Sequence, residues 1–364
     1  MTLPKLLLLT NSNVGLYRFR KETLIELSEH HHIIISSPND GFFDELSGLP
    51  ITYVPTTFNR RGINLFAELS LLIKYYRLIK KYKPSAILTY TIKPNIYGNL
   101  VARLYKIPVI TTITGLGDTF IKKGLTKQLI IVLYKLSFEK TRTLIFENSE
   151  DSSIFRELGI LRKQQVLQTP GAGVNLEEHI PLPYPISDKT VFLYVGRYMR
   201  TKGIAELLEA CKKLTLSHPN QFEMILMGHS EQELSQEIAQ AVQANIVTDV
   251  GFQTDIKPYI QQAHAIVLPS YKEGMSNALL EAAAMGRPLI ATDVSGCREA
   301  VDVGINGYLC EAMNASSLYS ALVQFIEHSP AEKQAMGVAS RHKVEGSFDR
   351  DIVTEKILNT LQTI

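Results

Sequence analysis

The sequence predicts an α/β protein made of two doubly wound domains, each a parallel sheet covered by helices on both faces. Three observations carry that prediction. Short apolar runs alternate with longer amphipathic segments from end to end, the pattern of βα units stacked on a parallel sheet. The alternation is interrupted at Pro181-Leu182-Pro183-Tyr184-Pro185, where closely spaced prolines cannot continue a helix and suit an extended linker. The chain has 364 residues, 45% of them apolar, too long for one ordinary domain and long enough for two cores.

Taken in order, strands are expected near 5–10, 32–36, 51–54, 86–90, 108–112, 143–146 and 165–168. After the prolines the pattern restarts, with strands near 190–195, 222–227, 246–248, 265–268 and 288–291. The first run, Leu6-Leu7-Leu8-Leu9, is too short for a signal-peptide core and leads into Asn11-Ser12-Asn13 rather than a small-residue cleavage site, so it reads as a buried strand. The expected division is an N-terminal domain over 1–180, a linker over 181–189 and a C-terminal domain over 190–345. A last helix over 346–364 is expected to pack back toward the first domain. Ligands in such sheets bind beyond the carboxyl ends of the strands, and two facing domains place that site in the cleft between them.

Charge is distributed unevenly. The total is only +2, but residues 1–165 carry +10 and the remainder −8. A basic half suits a polyanion: nucleic acid, an anionic membrane surface or a phosphorylated substrate. No nucleic-acid-binding module or basic-aromatic surface motif is present, so nucleic acid is not an expected partner. No stretch approaches the roughly 18 apolar residues of a membrane-spanning helix, and any membrane contact should be peripheral. Two basic amphipathic segments could provide it. Leu65, Phe66, Leu69, Leu72, Ile73, Tyr76 and Ile79 recur at helical spacing among Lys74, Arg77, Lys80, Lys81 and Lys83, with Arg60-Arg61 upstream, and Ile121 to Lys140 is similar. Cys211, Cys297 and Cys310 are odd in number and lack Cys-x-x-Cys spacing, which argues against a disulfide framework or a zinc site and fits a reducing compartment.

Chemistry is sought in the loops after strands. After the first strand, Asn11-Ser12-Asn13-Val14-Gly15 enters a helix, and Gly15 allows backbone to approach a phosphate or sugar near the helix N-terminus. In the second half, Gly196-Arg197 follows a strand and Lys202-Gly203 opens a helix. A guanidinium fork and an ammonium five residues apart can converge on a diphosphate. Further on, Tyr271-Lys272-Glu273-Gly274-Met275-Ser276-Asn277 precedes a helix that carries Glu281. Glu-x7-Glu spacing alone means little, since Glu139/Glu147 and Glu223/Glu231 share it. Only Glu273/Glu281 combines a loop carboxylate, a glycine turn, a Ser-Asn helix start and a second carboxylate in the helix. The Ser276 and Asn277 amides would meet a phosphate while the carboxylates accept bonds from vicinal hydroxyls.

These segments together resemble the retaining GT-B glycosyltransferases with the Glu-x7-Glu signature (group 1, family 4 type), over nearly the whole chain. The resemblance rests on Val195-Gly196-Arg197 with Lys202-Gly203, Met227-Gly228-His229, Val250-Gly251-Phe252 before Asp255-Ile256, Pro269-Ser270-x-x-Glu273-Gly274, Asn277-x-x-x-Glu281-Ala282 and Gly304-x-Asn306-Gly307. It implies two Rossmann-like domains, the N-terminal one binding acceptor and the C-terminal one a UDP-sugar. It further implies that Arg197 and Lys202 hold the nucleotide diphosphate, Glu281 the ribose hydroxyls and Glu273 the hydroxyls of the donor sugar. The backbone near Phe252 would read the base, with Met275 to Asn277 at the phosphate. Retention without a covalent nucleophile leaves the departing diphosphate as proton acceptor, and neither metal nor cofactor is expected where cationic side chains and a helix N-terminus stabilise the leaving group.

In the first half, Thr89-Tyr90-Thr91-Ile92-Lys93-Pro94-Asn95-Ile96-Tyr97-Gly98 and Ile113-Thr114-Gly115-Leu116-Gly117-Asp118 resemble transferases that extend polyprenyl-diphosphate-linked sugars in bacterial surface-glycan and protein-glycan assembly. Lys93 and Thr114 are therefore candidate substrate-binding residues. Many relatives carry His at the position of Thr114, so no catalytic histidine is assigned, and His229 reads as a surface-loop residue. The expectation is a metal-independent hexosyltransferase, transferring a hexose or N-acetylhexosamine to a lipid-linked saccharide, cytoplasmic and peripheral on the inner face of the cell membrane. A GT-B nucleotide-sugar epimerase, needing no acceptor, is one alternative. A two-lobed solute-binding protein is another, and it would require an export signal.

Overall fold

The computed structural model describes residues 3–41, 48–59, 64–116, 120, 124–229 and 234–363. Backbone contacts divide the chain into two units, Met1–Gly173 with Arg350–Ile364, and Val174–Asp349. Arg350–Ile364 adds two charges of each sign, so the first unit carries the +10 and the second the −8.

In the first unit the strands are β1 (Lys5–Leu9), β2 (His32–Ser37), β3 (Ile51–Pro55), β4 (Ala86–Tyr90), β5 (Val109–Ile113), β6 (Thr143–Phe146) and β7 (Gln165–Gln168). Its helices include α1 (Asn13–His30), α2 (Leu65–Tyr82), α3 (Asn99–Tyr105), α4 (Leu125–Ser137) and α5 (Ser149–Glu157). The sheet is parallel in the order β3-β2-β1-β4-β5-β6-β7 among the described residues. Because neighbouring residues of a strand face opposite sides, the leucine run of β1 serves two cores. Leu6 and Leu8 pack with Leu16, Leu24 and Leu27 of α1. Leu7 and Leu9 pack with Leu71 and Tyr75 of α2, Val101 of α3 and Ile130 of α4. The C-terminal helix Arg350–Gln362 joins the α1 face through Val353 and Ile357, and Arg350 pairs with Glu22 of α1.

The second unit contains β8 (Thr190–Val195), α6 (Ile204–Ser217), β9 (Phe222–Met227), α7 (Ser235–Gln243), β10 (Thr248–Asp249), α8 (Lys257–Gln262), β11 (Ala265–Leu268), α9 (Asn277–Ala284), β12 (Leu289–Thr292), β13 (Gly307–Cys310), α10 (Ala315–Ile326) and α11 (Pro330–Ser347). Its described strands run parallel in the order β10-β9-β8-β11-β12-β13. Each sheet therefore reverses its strand order once, between β1 and β4 and between β8 and β11, the places where open α/β sheets bind ligands. The doubly wound α/β class expected from the sequence is the observed one. β13 was not expected. It is four residues long and opens on Gly307, the last residue of the Gly304-x-Asn306-Gly307 segment.

The proline-rich stretch departs from the linker expected of it, because it is fastened to the second unit. Buried Arg287 donates hydrogen bonds of 2.8–3.2 Å to the carbonyls of Leu182, Pro183, Ile260, Gln261, Met285 and Gly286. Tyr184 lies beneath that guanidinium and donates its hydroxyl to the His264 carbonyl at 2.8 Å. Two of the carbonyls bonded by Arg287, those of Leu182 and Pro183, belong to the proline stretch, and the other four tie it to the ends of α8 and α9.

His264 makes this fastening sensitive to acid. Its Nδ1 accepts the Val191 amide at 3.0 Å, which requires that nitrogen to be unprotonated. Burial, then Lys333 and Arg287, bring its pKa from 6.5 down to about 4. The folded value lies below the unfolded one, so the unfolded chain binds more protons in between. The stability due to neutral His264 is complete above pH 6.5 and is lost as the pH falls toward 4. Urea titrations of the wild type should show stability declining across that window, and His264→Asn should flatten the decline. An equal slope in the variant would remove His264 as its source.

Candidate active site at the switch point of the second sheet

β8 and β11 are neighbours, so the loops that leave their carboxyl ends lie side by side. The loop after β8 is anchored by the Gly196 amide to the Met227 carbonyl at 3.0 Å and by the Tyr198 amide to the His229 carbonyl at 2.7 Å. It then forms a 3-10 turn over Arg200–Lys202 and reaches Gly203 at φ +72°. A Cβ on Gly203 would lie 2.0 Å from the Pro269 carbonyl oxygen, so only glycine lets this loop rest on the one after β11. The Tyr271 amide donates to the Thr201 carbonyl at 2.9 Å and completes the seam. The outcome is chemical: Lys202 Nζ donates to Glu273 Oε1 across 71 residues of sequence, both side chains remaining partly open to solvent.

Glu273 leans on a second tight turn. Gly296 has φ +83°, and a Cβ there would lie 2.6 Å from the Gly274 carbonyl oxygen and 2.8 Å from Glu273 Cβ. Glu299 clasps that turn, accepting from the Gly296 amide at 2.7 Å and the Ser295 hydroxyl at 3.2 Å. Cys297 is buried beside it, and burial first, then the Glu273 carboxylate, push its thiol well up. No sequence signal points to the Glu299 clasp, which depends on a turn conformation.

Ser276 caps α9, its hydroxyl accepting the Leu279 amide at 3.4 Å. Its own amide donates to the Gly296 carbonyl at 2.9 Å, so the phosphate contact expected of the Ser276 amide is not available in this geometry. Met275 is buried, and Asn277 Oδ1 is buried without a hydrogen-bond partner. Glu281 is half-buried in α9, on the helix that the Glu273 loop enters. Arg197 is exposed, and its carbonyl accepts the Tyr194 hydroxyl at 2.8 Å. Burial first and then Glu273 raise the Tyr194 phenol above its usual range, with Arg197 opposing, so both charges of the site act on this one hydroxyl.

The loops after β9 and β10 add an aromatic platform. The rings of His229 and Phe252 stack with centroids 4.2 Å apart and planes 9° from parallel, and Phe252 is exposed. The Gly228 amide donates to the Gly251 carbonyl at 3.0 Å and holds the two loops in register. His229 is exposed in its loop, as expected, and is also the stacking partner of Phe252. Asn306 of the Gly-x-Asn-Gly segment is structural: it accepts from the Asp302 amide at 2.6 Å and donates to the Ala300 carbonyl at 3.0 Å.

In the first unit two expected contacts are already committed. Asp40 accepts the Ser12 hydroxyl and the amides of Asn13 and Val14 at 2.8–3.2 Å, and Ser12 in turn accepts the Gly15 amide at 3.1 Å. A carboxylate of the chain therefore occupies the α1 N-terminus that was expected to receive a phosphate, and Gly15 does not present its amide to a ligand. Lys93 pairs with Glu68 of α2 at 2.5 Å, both largely buried, which ties the turn after β4 to that helix. Thr114 is half-buried just past β5. Gly117 and Asp118 of the same motif lie outside the described residues.

Two parallel doubly wound units, with cations and carboxylates gathered at the strand-order reversal of the second, define the GT-B class of sugar-transferring enzymes. The family models for glycosyl transferase 4-like and glycosyl transferases group 1 domains match residues 5–148 and 189–328. The chain belongs to these glycosyltransferases and is a hexosyltransferase. It is 26% identical to the N,N'-diacetylbacillosaminyl-diphospho-undecaprenol alpha-1,3-N-acetylgalactosaminyltransferase of Campylobacter jejuni, over 96% of each protein. It is 27% identical to the UDP-Gal:alpha-D-GlcNAc-diphosphoundecaprenol alpha-1,3-galactosyltransferase of Escherichia coli, over 82% of this chain and 79% of that one. In fold it is similar to Anabaena Alr3699/HepE, solved with UDP-glucose, with TM-score 0.79 at 18% identity over 99% of this chain and 100% of that one. Sucrose-phosphate synthase from Thermosynechococcus elongatus gives the same TM-score at 20% identity, over 99% and 98%.

The turn beneath Glu273 makes a test of the site possible without touching its charged groups. Gly296→Ala should displace Glu273 and reduce turnover at least tenfold, while the far-UV spectrum stays native. Wild-type turnover in a folded Gly296→Ala enzyme would show that the position of Glu273 is not critical.

Proposed function

We propose that this enzyme transfers a hexose or N-acetylhexosamine from its UDP derivative to a polyprenyl-diphosphate-linked saccharide, retaining the anomeric configuration, in assembly of bacterial surface polysaccharide or glycoprotein glycans. The observation that carries the reading is the contact of Lys202 with Glu273 at the switch point, with Glu281 on the helix that follows. The acceptor class is supported by the Campylobacter jejuni and Escherichia coli relatives, whose names specify undecaprenyl-diphosphate-linked sugars. The second of those names also specifies a UDP-sugar donor.

In this reading Arg197 and Lys202 hold the diphosphate, a forked donor and a point charge on one polyanion. Glu281 accepts from the ribose hydroxyls, the backbone at Phe252 reads the base, and Met275 to Asn277 border the phosphate. Lys202 and Glu273 neutralise each other until donor binds. The diphosphate then competes for Lys202, and Glu273 gains oxygens to accept from the sugar hydroxyls. The bond from C1 to the diphosphate oxygen breaks and its electron pair stays on the diphosphate. The acceptor oxygen bonds to C1 on the same face, and its proton passes to the departing diphosphate. Positive charge at Arg197, Lys202 and the α9 N-terminus stabilises the leaving group without a metal. Thr114 lies on the acceptor side, in the first unit.

The acceptor places the reaction at a membrane, and the +10 of the first unit favours the anionic inner face. Among the described residues no helix is long and apolar enough to cross a membrane. Arg60 and Arg61 of the basic segment lie outside the described residues.

The direct test is UDP release from a panel of nucleotide sugars, with and without lipid-linked acceptor. Acceptor-dependent release with one UDP-sugar is expected, and acceptor-independent interconversion of the sugar would instead indicate an epimerase. Glu281→Ala should weaken binding of UDP alone by about 1–3 kcal/mol, read by calorimetry, and an unchanged Kd in the folded variant would take Glu281 out of the nucleotide site. Arg197→Ala and Lys202→Ala should each lower turnover by roughly two decades. Activity should persist in excess chelator, and a strict requirement for magnesium would count against charge stabilisation by side chains alone.

A further inference from the structure

α2, α3 and α4 lie over one face of the first sheet, sharing a core with Leu7, Leu9 and Ile34. Tyr76 of α2 meets Tyr105 of α3 with ring centroids 5.6 Å apart, and Arg103 of α3 pairs at 2.7 Å with Glu139, in the turn that follows α4. The inner stripes of the two long helices are buried, with Leu71, Tyr75 and Leu78 on α2 and Ile130, Ile131 and Tyr134 on α4. Their outer stripes are apolar too. On α4, Leu125, Leu129, Val132 and Leu136 follow one another at helical spacing and all are exposed, Leu125 by 89%. On α2, Leu65 is 79% and Phe66 84% exposed, Leu69, Ile73 and Tyr76 continue the stripe, and Leu104 at the end of α3 is 72% exposed.

We propose that this outer face of α2, α3 and α4 is a membrane-docking surface whose apolar stripes enter the acyl boundary of an anionic bilayer. The proposal deepens the reading of a lipid-linked acceptor and rests on it for its purpose. Charge identifies the occupant. The face carries Lys74, Arg77, Lys80 and Lys81 on α2 and Lys135 on α4. The acids on the same elements are neutralised, Glu68 by Lys93 and Glu139 by Arg103. A second copy on a two-fold axis would set this cationic face against itself, whereas anionic headgroups complement it. Apolar contact sets the depth. Crossover helices start at the carboxyl ends of strands, so Leu65, Phe66 and Leu125, each at a helix N-terminus, belong to the same edge of the sheet as Thr114. The deepest insertion is then beside the loops where the acceptor headgroup is expected.

This predicts binding with a salt-resistant component, which purely electrostatic attraction lacks. Flotation with phosphatidylglycerol–phosphatidylcholine vesicles free of any lipid-linked sugar reads docking alone. The wild type should float at low salt and retain part of its binding at about 0.5 M salt, where the Debye length is only several ångströms. A Leu65→Ser, Phe66→Ser, Leu125→Ser, Leu129→Ser variant should bind at least tenfold more weakly at both salt concentrations. Its thermal midpoint and its transfer to a water-soluble acceptor analogue should match the wild type, since all four side chains are exposed. Undiminished flotation of the variant would overturn the proposal, as would a wild-type dimer in sedimentation that the same substitutions dissociate. Failure of the acceptor reading would appear separately, as a wild type that floats but transfers to no lipid-linked saccharide.

Discussion

The second unit depends on backbone lying directly against backbone at the point where the order of its strands reverses. Where Gly203 crosses the Pro269 carbonyl there is no room for a methyl group, and the same holds where Gly296 supports Glu273. These crossings bring an ammonium after β8 to a carboxylate after β11. A side chain at either crossing would separate loops whose functional groups meet only through that closeness. Strand order provides the neighbourhood, and the two glycines provide the remaining ångströms.

The first unit has the same reversal between β1 and β4 but uses it differently. There Asp40 fills the N-terminus of α1, and Glu68 retains Lys93. An anion approaching that place would meet a carboxylate already bonded to the amides it needs. Further in, buried Arg20 and Glu147 pair at 2.7 Å, and the guanidinium lies 5.2 Å from the centre of the Tyr90 ring. Burial raises the Glu147 carboxyl while Arg20 opposes the rise. Two units of one architecture are thus separated by which charges their strand-end loops have already matched, an asymmetry consistent with nucleotide binding in the second unit.

Most of the strands were legible because a buried parallel strand needs only a short apolar run between turn residues. β13 escaped because it is short and opens on glycine, and the proline stretch was misread because its partner, Arg287, lies about a hundred residues away. In the site, the types and order of Arg197, Lys202, Glu273 and Glu281 were visible in the sequence. The matching of Ser276 to Gly296, of Gly15 to Ser12 and of His229 to Phe252 was not, since each needs a contact that local pattern does not encode. The basic amphipathic segments show a related limit. Helical periodicity in α2 picks out Leu65, Phe66, Leu69, Ile73 and Tyr76, but only the structure tells that this stripe faces outward while Leu71, Tyr75 and Leu78 face the core.

On the proposed function, the division of charge between the units matches what each would attract. A field of +10 on the first unit acts over a distance comparable with the Debye length, about 8–10 Å at moderate ionic strength, and suits an extended anionic surface. The second unit, at −8, would repel the same surface. It would also repel a nucleotide diphosphate if binding depended on net charge. In the proposed reading recognition there is instead local, from Arg197, Lys202 and the positive end of α9, where a guanidinium fork and an ammonium outweigh dispersed surface carboxylates. Long-range attraction and short-range recognition would thereby fall to different halves of the chain. The half that would meet the membrane can carry a strong positive field without providing a second, competing site for the nucleotide, because its own helix N-terminus is already closed by Asp40.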